Sequence, residues 1–150
     1  MKSRWKVVCL AGLMCFSVLA RAEVTVTQAW VRGTVPGQTA TGAFLKITSS
    51  VDAKLVAAAS PAARLVEVHE MSMKENVMSM RAVGAVPMAA GKTLEFKPGG
   101  YHVMLMDLVK PLGKDDKVPL TLTVLDKDGK RWAVSVMAEV RALGADGMKH

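Results

Sequence analysis

Past residue 23 the apolar residues of this chain recur at every second position, and no stretch sustains the 3.6-residue recurrence of an amphipathic helix. Val24 and Val26 alternate with Thr25 and Thr27, and Leu120, Leu122 and Val124 are set off by Pro119, Thr121 and Leu125. Trp132, Val134, Val136 and Ala138 alternate with Arg131, Ala133, Ser135 and Met137. A period of two sends successive side chains to opposite faces, the pattern of a strand buried on one side. Turn-forming clusters cut the runs at Val35-Pro36-Gly37, Ser49 to Asp52, Lys74-Glu75-Asn76, Pro98-Gly99-Gly100, Gly113 to Lys117 and Asp126 to Gly129. The expectation is an all-β single domain of about seven to nine strands, a Greek-key sandwich or barrel.

Residues 1–22 read as a secretory signal peptide. Lys2, Arg4 and Lys6 form its basic start, Val7 to Ala20 its apolar run, and Ala20-Arg21-Ala22 a small-residue cleavage site. The run is too short for a comfortable membrane span, so an exported, periplasmic domain without a permanent anchor is expected. Neither Cys9 nor Cys15 follows the Leu-small-small pattern of a lipoprotein signal. The domain is placed at 23–141. Residues 142–150, with Gly144 and Gly147, form a tail where Met148 and His150 make a candidate second, weak metal site.

Both cysteines fall within the leader, so the exported chain has none. Without disulfides, a chain of this length must be held by its core. The lack of a thiolate also rules out a blue-copper electron-transfer site. Sixteen basic against thirteen acidic residues remain after the leader, a balance of +3 that is too mild for a nucleic-acid-binding surface.

Four side chains carry the chemistry: His69, Met80, His102 and Met104. Thioether sulfur is neutral and polarizable, a poor partner for hard ions and a good one, beside imidazole, for copper(I). His102 and Met104 are two apart on a strand and share a face, with Tyr101, Val103 and Leu105 on the core side, so the ligand face is expected to be partly open. Glu67 and His69 likewise lie opposite Val66 and Val68. A hairpin at Lys74 to Asn76 brings Met80 back beside His69. Met71 makes its own H-x-M pair with His69, and the residues alone do not choose between Met71 and Met80 as the fourth ligand. Met106 and Leu108 are expected on the face of His102, and Trp30 is expected to anchor the core.

The spacing H-x10-M-x21-H-x-M resembles that of the PCuAC family of periplasmic copper chaperones. So do the stretches Ala29 to Arg32, Thr41 to Phe44, Val66 to Met71 and Pro98 to Met104. The resemblance implies a cupredoxin-like β-barrel, copper(I) as cargo, and His69, Met80, His102 and Met104 as ligands, deciding for Met80 over Met71. It also implies a partner: the copper-centre subunit of a terminal oxidase such as cytochrome c oxidase, or another copper-transfer protein. A monomer is expected. Copper scavenging or tolerance, and an immunoglobulin-like interaction module without metal, are the alternatives. No nucleophile elbow, catalytic cysteine or H-E-x-x-H helix points to an enzyme.

Overall fold

The computed structural model describes residues 22–144. Residues 1–21, with most of the expected signal peptide, and residues 145–150, with Met148 and His150, lie outside the described residues. Ten strands follow in order: β1 (Val24–Arg32), β2 (Ala40–Ser49), β3 (Ala53–Ala59), β4 (Ala63–Lys74), β5 (Val77–Ala82), β6 (Val86–Met88), β7 (Thr93–Phe96), β8 (Tyr101–Leu108), β9 (Lys117–Asp126) and β10 (Arg131–Arg141). The count reaches ten because β6 and β7 are only three and four residues long, too short to show a period. Among the described residues no helix is long and apolar enough to cross a membrane.

The strands form one sheet in the order β5-β4-β8-β2-β1-β10-β9-β3-β6, with β7 continuing the β8 side of β2. All pairings are antiparallel except β1 with β10. The non-sequential order is the Greek-key character expected from the pattern. One core cluster joins Val68 and Val103, near one end of this order, to Leu55 and Val86 near the other, so the sheet folds over to make a sandwich. Val31, Ala43, Ile47, Val103, Leu105, Leu122, Val124 and Ala138 have no measurable exposure.

Two local irregularities re-aim side chains. Gln28 takes φ 53°, and the register of β1 on β2 slips by one residue between Thr27 and Trp30. This bulge inverts the alternation that begins at Val24 and Val26. Val31 therefore points into the core, and Trp30, expected to anchor the core, lies instead on the outer face against Phe44. Asp107 takes φ 54° and turns the end of β8, so Leu108 packs against the core and does not share the face of His102.

Candidate metal centre

β4 and β8 are antiparallel neighbours, and their register sets His69 directly opposite His102. The ring centroids are 5.7 Å apart and the planes are tilted by 58°. The same register sets Glu67 opposite Met104, and β2 adds Gly42 on the other side of Met104. On β5, Met80 pairs with Met71 and Ala82 pairs with His69. Met80 therefore reaches His69 diagonally, one pleat pair along, and faces Met71 directly.

Met71, Met80, His102 and Met104 line one cleft, together with Arg32, Gly42 and Phe44. His69 does not line it and joins through the ring of His102. Of the four expected ligands, three share the cleft and the fourth stands behind one of them, and Met71 enters it on the same terms as Met80. Exposure differs from the expectation of an open ligand face. His69 and His102 retain only 8% and 5% of their surface, whereas Met80 keeps 50%. The imidazoles are covered because Phe44 packs beside His102, with centroids 6.3 Å apart, and the β4–β5 hairpin flanks His69. The thioether of Met80 rides on the sheet edge, where nothing packs over it.

Hydrogen bonding prepares one nitrogen on each ring. Glu67 Oε2 lies 2.9 Å from His69 Nε2. A carboxylate only accepts, so Nε2–H donates, and the neutral ring carries its lone pair on Nδ1. That Nδ1 is buried and has no partner. An orphaned lone pair in the interior costs free energy unless something fills it, and a metal ion is a natural occupant. In His102, Nδ1 lies 3.4 Å from the carbonyl oxygen of Gly100 and donates to it, which leaves Nε2 as its free lone pair. Burial holds the pKa of His102 below the ordinary 6.5. The Gly100 carbonyl works against that shift, and positive charge on His69, when that ring is protonated, and on Arg32 adds to it. A neutral imidazole is the form that can ligate.

Glu67 was missed as a positioning group. Its signal lay in the sequence, because Glu67 and His69 stand two apart on a strand, as His102 and Met104 do. Beyond His102 the face continues as a row of rings: Phe44, then Trp30 at 4.6 Å from it, with Arg32 over Phe44 and Arg141 over Trp30. Among the described residues no three His, Cys, Asp or Glu side chains are placed to hold a metal ion together. The donor set is therefore imidazole plus thioether, which suits a soft ion and not a hard one.

The all-β sandwich is a fold shared with solved PCuAC domains. The copper-bound PCuAC domain from PmoF2 superposes with a TM-score of 0.62 over 79% of this chain and 92% of its own, at 21% identity, a likeness of fold. The solution structure of CuI-DR1885 from Deinococcus radiodurans gives a TM-score of 0.57 at 29% identity, covering 81% of this chain and 77% of its own. The apo form of DR1885 covers 95% and 97%, with a TM-score of 0.58 at 27% identity. The resemblance drawn from the motif holds at the level of the fold.

The chain belongs to the LpqE-like family, described as "Putative lipoprotein LpqE-like", whose model matches residues 24–137. A relative named "Putative lipoprotein Lxx21020", from Leifsonia xyli subsp. xyli (strain CTCB07), is 38% identical over 114 residues, which are 75% of this chain and 69% of the relative.

Proposed function

We propose that this protein is an exported copper(I) chaperone that holds one ion between His69, His102, Met80 and Met104 and passes it to a partner by ligand exchange. The observation that carries this reading is the pairing of His69 with His102 across adjacent strands, each with one nitrogen tied to an oxygen and the other free. All four donors are neutral, so Cu(I) is held without a negative charge that must be separated on release. The half-open cleft supports transfer. The exposed thioether of Met80 is the donor an incoming ligand reaches first, while the buried imidazoles keep the ion until the second bond forms. Copper stays monovalent throughout and no oxidant or reductant is required.

The copper-bound states of the PmoF2 domain and of DR1885 support copper as the cargo here. The proposed recipient is the copper-centre subunit of a terminal oxidase, as the resemblance to PCuAC implies. Residues 1–22 direct export, 23–141 carry the copper, and 142–150 form a tail. Cys9 and Cys15 lack the lipoprotein pattern, so this chain is proposed to work free in the periplasm, although its relatives are named as lipoproteins. Both histidines serve as donors in this reading, so neither is left to act as a general acid or base. Anaerobic Cu(I) titration with X-ray absorption tests the reading. One tightly bound ion with mixed sulfur and nitrogen neighbours is expected, and nitrogen and oxygen neighbours alone would overturn it.

A further inference from the structure

Two methionines of the β4–β5 hairpin belong neither to the core nor to the cleft lining: Met73 is 66% exposed and Met78 52%. They face each other directly across the ladder. The turn between the strands is two residues long, Glu75 and Asn76, with φ 52° and 61°, the mark of a type I′ hairpin. Such a turn makes Lys74–Val77 the hydrogen-bonded closing pair. The pairs Met73–Met78 and Met71–Met80 then occupy non-hydrogen-bonded positions, where opposed Cα atoms approach to about 4.5 Å and side chains lie closest. The backbone agrees, since the N–H of Met71 turns away from β5 to donate to Gly100 O at 3.1 Å.

Parity puts all four thioethers on one face of the hairpin, while Ser72 and Ser79 meet on the other with their hydroxyl oxygens 3.1 Å apart. The two methionine pairs are separated by one pleat repeat, about 7 Å, a gap that two unbranched side chains span. Packing does not account for the outer pair, because β5 is an edge strand exposed along its whole length. Edge strands are ordinarily protected by charge, and four sulfurs facing one way at an edge have a different chemistry to offer.

We propose that Met73 and Met78, with Met71 as third donor, form a second, thioether-only site for a soft monovalent cation at the hairpin tip, two pleat repeats from the histidine pair. The geometry stands alone, and only the identity of the cation, Cu(I), rests on the reading of the cleft. Met71, which lines the cleft without being one of its four proposed donors, is then assigned to the outer site. An ion arriving at the exposed tip exchanges Met73 and Met78 for Met80 and His102 without changing its charge.

The test uses the full exported chain carrying 13C-methyl methionine, titrated with Ag(I) as a redox-inert probe and with Cu(I) under anaerobic, reducing conditions. Methyl resonances are assigned by single Met→Leu variants. The first equivalent is expected to move Met80, Met104 and the imidazole resonances, and the second to move Met73, Met78 and Met71 with an affinity lower by about tenfold or more. The double variant Met73→Leu/Met78→Leu is expected to lose the second equivalent and keep the first, while the buried Met88 methyl stays in place to report an intact core. Saturation at one equivalent overturns the proposal, as does a second equivalent that moves Met148 or binds the double variant undiminished. Should the first equivalent leave both histidines unmoved, the cleft reading fails, and the hairpin methyls still report on the outer site separately.

Discussion

Replacing Glu67 with alanine asks how far the cleft depends on a carboxylate that never touches the cargo. The Glu67–His69 contact is a 2.9 Å bond to a charged acceptor, a class that contributes roughly 1.5–3 kcal/mol. The His69 side chain keeps 11% of its surface but that of Glu67 keeps 40%, so water partly replaces the lost carboxylate and the lower end applies. Without Glu67 the ring is free to move its proton to Nδ1, the nitrogen left open for the ion. If this cost falls on the ligating tautomer, about 1.5 kcal/mol lowers Cu(I) affinity about tenfold, in line with other carboxylates that orient metal-binding histidines. Glu67→Gln retains an acceptor oxygen and is expected to fall between wild type and alanine. The assay is anaerobic competition with a chromophoric Cu(I) chelator at neutral pH. Glu70→Ala is the control, because Glu70 sits on the same strand but pairs with Arg81 at 2.8 Å, away from the rings. Affinity of Glu67→Ala within about twofold of wild type, or an equal loss in Glu70→Ala, would refute the argument that the carboxylate sets the tautomer.

Met80→Leu keeps volume and removes sulfur, and is expected to weaken the first Cu(I) more than Met71→Leu does; the reverse order in the same competition assay would transfer the fourth ligand to Met71. Gly42→Ala places a Cβ 3.2 Å from the tip of the Phe44 ring and 3.9 Å from His102, so the ring packed beside the imidazole must give way. We expect a loss of about 1–2 kcal/mol in urea denaturation together with weaker Cu(I) binding, and unchanged values of both would show that Phe44 yields freely. Because the pKa of His102 is lowered, the folded state binds its proton more weakly than the unfolded chain. Apo stability is therefore fully present above 6.5 and declines as pH falls below it toward the folded value. A pH series of denaturation midpoints checks the sign, and removal of the dependence in His102→Gln assigns it.

Much of the fold was legible because period two is a direct imprint of one-sided burial. Val103 and Leu105 inward with His102 and Met104 outward followed from parity alone, and the core is built that way. Parity failed at Leu108, after Asp107 at positive φ, and the expected core anchor Trp30 was turned outward by the bulge at Gln28, also at positive φ. Neither is glycine, so composition gave no warning of either irregularity. The site was legible as a set of donors on strands and not as a register. That His69 faces His102, and Met80 faces Met71, depends on how the strands slide past one another, and hairpin geometry fixes this only for β4 against β5. Burial of the imidazoles was likewise hidden, because it comes from Phe44 on β2, far away in the chain.

The donors of this cleft occupy parts of the sheet with unequal resistance to local opening. β8 lies between β4 and β2 and is laddered on both sides, whereas β5 is paired on one side only and packs over nothing. Backbone amides around His102 are thus released by events close to global unfolding, while those around Met80 are released when the hairpin frays. The two histidines thus sit on strands laddered on both sides, and Met80 on an edge strand expected to exchange faster. In the proposed transfer a recipient would work against the hairpin alone, opening the cleft from its edge while the sandwich beneath stays folded.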